Sequence, residues 1–199
     1  MGHHRSSDPD PQSGHDPAGR DVPLGAPTGW PDGVAAGLVT CGCRHVVYVP
    51  DNPLSQILDA LAARAHAVRP ILATREEEAV GIAAGLYLGG AWPAVLMQSS
   101  GLGNALNAIG SLLIPYQIPV LLVISMRGDP GEWNAAQVPL GRAIPSILDS
   151  LGIQHLTVDT PDRASEAVAA TGALAFGTRH PAACLLPRRL TCPVVRGES

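Results

Sequence analysis

The chain contains no lysine: all thirteen of its basic residues are arginine. That absence excludes a Schiff-base lysine, a P-loop lysine and a pyridoxal phosphate anchor. Charge is sparse as well, with 15% charged residues, a net charge of −4 and no basic run, so nucleic acid is not an expected partner. No apolar run approaches the roughly 20 residues needed to span a membrane. The N-terminus shows no charged start followed by an apolar core, so no secretory signal is expected. The four cysteines form no framework: Cys41 and Cys43 flank a glycine, and Cys184 and Cys192 lie in and after the last apolar run. Neither pair has zinc-ligand spacing, and no metal site is expected on this chain. Thiols in a reducing cytoplasm account for them.

What remains is a well-buried globular composition, 46% hydrophobic over 199 residues, enough for one domain with a real core. So few charges suggest that part of the surface is covered by another subunit. Residues 1–27 carry almost no large apolar side chain and cannot offset their ordering entropy by burial, so a disordered tail is expected there. The domain is expected over 28–190, with a short tail at 191–199. Within it, helical periodicity over Val34–Val39 opens near Pro31 and ends at Gly42. Strand-like runs follow at Val46–Val49, Pro70–Ala73, Pro93–Gln98, Pro119–Ile124, Gln154–Val158 and Pro181–Leu186. Helices are expected between them, at Pro53–Ala65, behind Glu76–Glu78, at Ala105–Leu113, Ile144–Leu151 and Asp162–Phe176. A long loop is expected over Ser125–Leu140. Six continuously apolar strands alternating with helices predict an α/β fold, a three-layer α/β/α arrangement around a six-stranded parallel sheet.

In such sheets ligands bind outside the carboxyl ends of the strands. Four segments fall on that edge: Pro50-Asp51-Asn52, the cluster Glu76-Glu77-Glu78, the stretch SSGLGN at 99–104, and Ser125–Asp129. The chain has only six glutamates, and three stand together here, at the start of a helix rich in alanine and glycine. Acids gain there from the positive end of the helix dipole. The stretch SSGLGN reads as a glycine loop that lets backbone amides approach a ligand, or simply as a tight turn into the next helix. It lacks the third glycine of a dinucleotide fingerprint, and Ser99 and Ser100 lack a nucleophile elbow. No histidine lies in the four edge segments, which argues against hydrolase chemistry.

Taken together, Glu76-x-x-Ala79-x-x-x-Ala83-x-Gly85 and then Ser100-Gly101-x-Gly103 one strand later resemble the pyrimidine-binding domain of thiamine diphosphate enzymes. The runs VYVPD, REEEAVGIAAG, QSSGLGN and Arg127-Gly128 are similar to those of sulfopyruvate and phosphonopyruvate decarboxylases, and the resemblance covers about residues 30–187. It implies that Glu76 is the cofactor-activating glutamate, since Glu76 stands nine residues before Gly85 and Glu77 and Glu78 do not. A glutamic acid at the N1′ nitrogen of the aminopyrimidine favours the imino tautomer, whose nitrogen takes the C2 proton of the thiazolium. The thiazolium then serves as an electron sink when carbon dioxide leaves.

The resemblance implies that Ser100, Gly101, Leu102, Gly103 and Asn104 bind the cofactor with Glu76. Asp51, Asn52, Arg127 and Arg142 are candidates for the substrate, with Arg75 a further possibility. With no lysine present, a phosphonate or sulfonate must be held by arginine or backbone amides. The Gly-Asp-Gly and Asn-Asn pattern of the diphosphate half is not found, Gly128-Asp129-Pro130-Gly131 standing in its place. A second, β subunit is therefore expected to bind the diphosphate and ligate Mg²⁺, in an α₂β₂ or larger assembly. The expected activity is decarboxylation of a small 2-oxo acid, 3-phosphonopyruvate or 3-sulfopyruvate. The alternatives are carboligation of the acetolactate-synthase type and a non-catalytic regulatory module. Trp133 fits either the subunit interface or a cap on the domain's own core.

Overall fold

The computed structural model describes residues 28–64 and 67–192. The tail expected at 1–27 and most of the one expected at 191–199 lie outside the described residues. Six strands form one sheet: β1 (His45–Tyr48), β2 (Arg69–Leu72), β3 (Pro93–Gln98), β4 (Leu121–Ser125), β5 (His155–Thr157) and β6 (Ala182–Leu186). Every pairing is parallel, and the order across the sheet is β2-β1-β3-β4-β6-β5. The helices are α1 (Trp30–Thr40), α2 (Asn52–Ala62), α3 (Glu76–Leu88), α4 (Ser99–Ala108), α5 (Val138–Ser150), α6 (Ala164–Thr178) and the short α7 (Arg188–Thr191). The chain is still helical at Thr191, so the expected domain end at 190 falls inside α7.

The side-chain alternation of the strands builds two cores from one sheet. Val47, Val95, Met97, Leu122 and Ile124 face α3, α4 and α5, while Val46, Leu96, Leu121, Val123 and Cys184 face α1, α2 and α6. Both faces are covered, which is why these strands read as unbroken apolar runs. Helix α1 lies close on α6 because it presents glycine there. A Cβ at Gly37 would stand 2.6 Å from the Ser165 carbonyl oxygen and 2.7 Å from Val168 Cβ. The four cysteines are free thiols, three of them buried. None of the described helices is long and apolar enough to cross a membrane.

Two sequence expectations are corrected. The stretch 99–104 is not a loop: α4 begins at Ser99 directly after β3, and a π-helical turn continues it over Ile109–Leu113. The long loop expected to Leu140 is shorter, because a 3₁₀ turn at Ala135–Gln137 leads into α5 at Val138. Pro139, Gly141 and Pro145 hid that start. Pro139 stands in the first turn, where no backbone N–H bond is lost. Gly141 is needed because a Cβ there would run into the backbone of Arg127. Trp133, in the connection before this turn, is 83% exposed and does not cap the domain's core.

Candidate active site

The strand order reverses its direction of growth at β1, which has β2 on one side and β3 on the other. That switch point is where an open parallel sheet leaves a crevice beyond its carboxyl ends. Asp51, just past β1, occupies it. Its Oδ1 accepts a 3.0 Å bond from Gln98 Nε2 at the end of β3, and its Oδ2 accepts a 2.6 Å bond from Ser125 Oγ at the end of β4. One carboxylate therefore ties three strand ends together. Asn52 follows at the first position of α2 and is exposed.

The three glutamates part company in the first turn of α3. Glu78 turns back on its own helix and accepts a 2.6 Å bond from the Thr74 backbone N–H, in the manner of a capping box. Glu77 pairs with the exposed Arg75 at 2.7 Å. Glu76 alone crosses to α4. Its side chain lies against Gly101, where a Cβ would come within 2.6 Å of its Cγ and 2.7 Å of its Cδ. Asn104, one turn further along α4, donates to Glu76 Oε2 at 3.2 Å. Gly101 thus serves a side chain's close approach and not a loop conformation. Ser100 Oγ donates to Gln98 Oε1, linking this helix start to the Asp51 group. Leu102 is buried in the core beneath, and Gly103 is packed against Leu140, where a Cβ would meet Leu140 Cδ2 at 2.6 Å.

Arg127 has its own acid. Its Nε and Nη2 bond Glu132 Oε2 and Oε1 at 2.7 and 3.1 Å, and Arg188 Nη1 stands 3.6 Å from the same carboxylate. The Glu132 side chain is 1% exposed. The hydrogen-bonded Arg127 guanidinium, with help from the Asn134 N–H and from Arg188, draws the Glu132 carboxyl down to about 2. Arg127 is shifted up in return, chiefly by the same hydrogen bond. Arg142 lies within α5 and borders an open hollow with Gly128 and Val138. The sequence reading missed Gln98, Ser125, Glu132 and Arg188. Gln98 and Ser125 carried a signal, being the polar last residues of otherwise apolar strands. Glu132 and Arg188 are far apart in sequence and carried none. Among the described residues no group of three or more acidic, histidine or cysteine side chains is placed to hold a metal.

An open parallel sheet with a helix-start glutamate lodged against a glycine of the next helix, both beside the switch point, defines a cofactor- or substrate-binding α/β domain. The match to "Thiamine pyrophosphate enzyme, N-terminal TPP binding domain" spans residues 31–133. This chain belongs to that family. It is similar to sulfopyruvate decarboxylase subunit alpha of Methanococcus maripaludis, 39% identical over 78% of this chain and 92% of the relative. It is also similar to phosphonopyruvate decarboxylase of Streptomyces viridochromogenes, 36% identical over 78% of this chain and 39% of the longer relative. Among solved structures, 2-oxoglutarate:ferredoxin oxidoreductase from Magnetococcus marinus superimposes with a TM-score of 0.65 at 15% identity. That match covers 82% of this chain and 29% of the other, and it speaks for the fold alone.

Proposed function

We propose that this chain is the pyrimidine-binding α subunit of a two-chain thiamine diphosphate-dependent 2-oxo acid decarboxylase. Its substrate would be 3-sulfopyruvate or 3-phosphonopyruvate, converted to the aldehyde and carbon dioxide. One observation carries the reading: of three adjacent glutamates, Glu76 is the one set against a helical glycine, with Asn104 as its neutral partner among the described residues. A carboxyl so placed suits an aromatic nitrogen that must exchange a proton. Glu77 and Glu78 are engaged by Arg75 and Thr74.

The residues present fit the pyrimidine end of thiamine diphosphate. The close approach of Glu76 to Gly101 would be lost to any Cβ, and Asn104 fixes one carboxylate oxygen. When bound, the cofactor supplies the electron sink that decarboxylation of a 2-oxo acid requires. Glu76 holds and returns a proton at the cofactor's N1′ nitrogen. Asn104 orients the Glu76 carboxyl, and the start of α4 from Ser100 through Gly103 forms the wall beside it. Asp51, held by Gln98 and Ser125, and Asn52 stand at the switch point on the substrate side, with Arg127 as an anion contact and Arg142 further out.

We take the domain from residue 28 through the end of α7, and we assign the diphosphate and its Mg²⁺ to a partner β subunit in an α₂β₂ or larger complex. Subunits named alpha among the relatives support a heteromer. So does the open side of α3, where a Cβ at Gly81 or Gly85 would meet nothing within 4 Å and Leu88 is exposed. Free thiols are in keeping with a cytoplasmic location. The test is to mix the chain with its partner, thiamine diphosphate and Mg²⁺ and to measure carbon dioxide released from 3-sulfopyruvate, 3-phosphonopyruvate and pyruvate. Tight, Mg²⁺-dependent cofactor binding by this chain alone would overturn the two-chain reading. Condensed hydroxy-ketone products without free aldehyde would replace decarboxylation by carboligation.

A further inference from the structure

Arg188, at the start of α7 after β6, converges with Arg127, after β4, on the single carboxylate of Glu132. Its backbone N–H is fixed by Asp129 Oδ2 at 2.8 Å, and its Nε bonds the Gly131 carbonyl at 3.2 Å. Arg127 spends Nε and Nη2 on Glu132. A guanidinium carries five N–H donors. Arg127 Nη1 and Arg188 Nη2 have no hydrogen-bond partner among the described residues. Both arginines line a cavity of about 310 Å³ whose other walls include Asn52, Trp133 and Thr191. Asn52 directly follows Asp51, so this cavity opens beside the switch point.

We propose that Arg188 and Arg127 together form the site for the substrate's sulfonate group, with Glu132 as the positioning residue that holds the two guanidinium planes in place. This assignment rests on the proposed function above and narrows its substrate. Two arginines held by Glu132 and Asp129 make a cluster with little net charge, and of these four side chains only the arginines line the cavity. A sulfonate, a single permanent negative charge with three acceptor oxygens, matches that balance and can take donors from both arginines. A phosphonate dianion would bring its second charge towards Glu132, which stays ionised in the fold. The cavity therefore selects 3-sulfopyruvate over 3-phosphonopyruvate.

The test uses the full chain and two unreactive probes, 3-sulfopropionate and 3-phosphonopropionate, titrated by calorimetry at pH 8. The wild-type chain is expected to bind 3-sulfopropionate more tightly, with an affinity that falls as salt rises. Arg188→Ala should weaken that binding about tenfold, the size of a lost charge-assisted hydrogen bond. Arg188→Lys should restore part of it, because a point charge replaces a planar donor set. Circular dichroism checks the fold of each variant, and the Asp129 bond survives in both because it uses the Arg188 backbone. Failure of the wild-type chain to bind 3-sulfopropionate, unchanged binding in Arg188→Ala, or tighter binding of 3-phosphonopropionate would each overturn the inference. Thiamine-dependent turnover of 3-sulfopyruvate that ignores Arg188 would sink this site and spare the proposed function. Arg188-dependent binding without any thiamine-dependent turnover would do the reverse.

Discussion

Two glutamates of this molecule stand on the same edge of one sheet and are treated in opposite ways. Glu132 is enclosed, bonded by both nitrogens of one guanidinium arm and by a backbone N–H, and approached by a second arginine. Its charge is fully committed. Glu76 is half-buried, packed on the bare backbone of Gly101 and, among the described residues, bonded through one oxygen to the amide of Asn104. A carboxylate surrounded by cations is held as an anion and organises other groups, whereas Glu76 has one neutral hydrogen-bond partner among the described residues. The neighbouring acids sharpen the contrast, since Glu77 and Glu78 share Glu76's helix turn and not its surroundings.

The largest expected effect breaks that contrast at Glu76. Glu76→Gln keeps the shape and the Asn104 contact but cannot exchange a proton, so turnover by the assembled complex should fall by about 10² or more. Melting temperature and circular dichroism should be unchanged. Near-normal activity in this variant, with loss in Glu77→Gln, would move the role one residue along. Next in size is Gly101→Ala. The added methyl would occupy the place of the Glu76 carboxyl, and with backbone on one side it is the glutamate that must swing away. Activity should drop by about tenfold, while stability falls by about 1–3 kcal/mol as for other overpacked sites. An alanine variant with full activity would show that Glu76 works from another rotamer.

Much of this was readable before any coordinates, and for identifiable reasons. Parallel strands buried on both faces need apolar runs, so β1, β3, β4 and β6 announced themselves in sequence, whereas the edge strands β2 and β5 are largely exposed and carried a weaker signal. The catalytic candidate stood out because acids are few and this one held a fixed spacing to Gly85, with the glycine motif one strand later. The helical nature of 99–104 was not readable. A glycine-rich stretch looks like a loop until one sees that Gly101 is there for the approach of a side chain 25 residues earlier. The start of α5 was masked by two prolines and a glycine that weaken any helical signal. The pairing of Arg127 with Glu132 and Arg188 depends on a loop and a helix start meeting across the sheet edge, which local pattern does not encode.

The Glu132 side of the comparison is tested through stability. Glu132→Gln removes charge-assisted hydrogen bonds to Arg127 and leaves two guanidinium groups beside each other, so the domain should lose about 1.5–3 kcal/mol near neutral pH. The pH dependence has a definite sign. The folded-state carboxyl is depressed to about 2, so its contribution is complete above the ordinary glutamate range and is lost as pH falls through about 2. Denaturant melts of the wild type and the variant should therefore lie well apart at pH 6 and approach each other as the pH is lowered. A gap that stays constant with pH would mean that Glu132 acts through packing, not charge.

The smallest effect is expected one residue turn away from the largest. Glu78 accepts a backbone N–H bond from Thr74 and places negative charge at the start of α3. Glu78→Ala removes both the cap and the dipole interaction, which together contribute about 0.5–2 kcal/mol to a helix. No comparable loss is expected from Glu77→Ala, because its partner Arg75 is largely exposed and such pairs contribute little. Activity of the assembled complex should stay within about twofold of wild type for both, since their hydrogen-bond and ion-pair partners lie at the start of their own helix. Chemical denaturation and a carbon dioxide release assay on the same preparations separate the two readouts. If Glu78→Ala lowered turnover in proportion to Glu76→Gln at unchanged stability, the three acids would be acting as one cluster, and the division of roles drawn from their separate partners would fail.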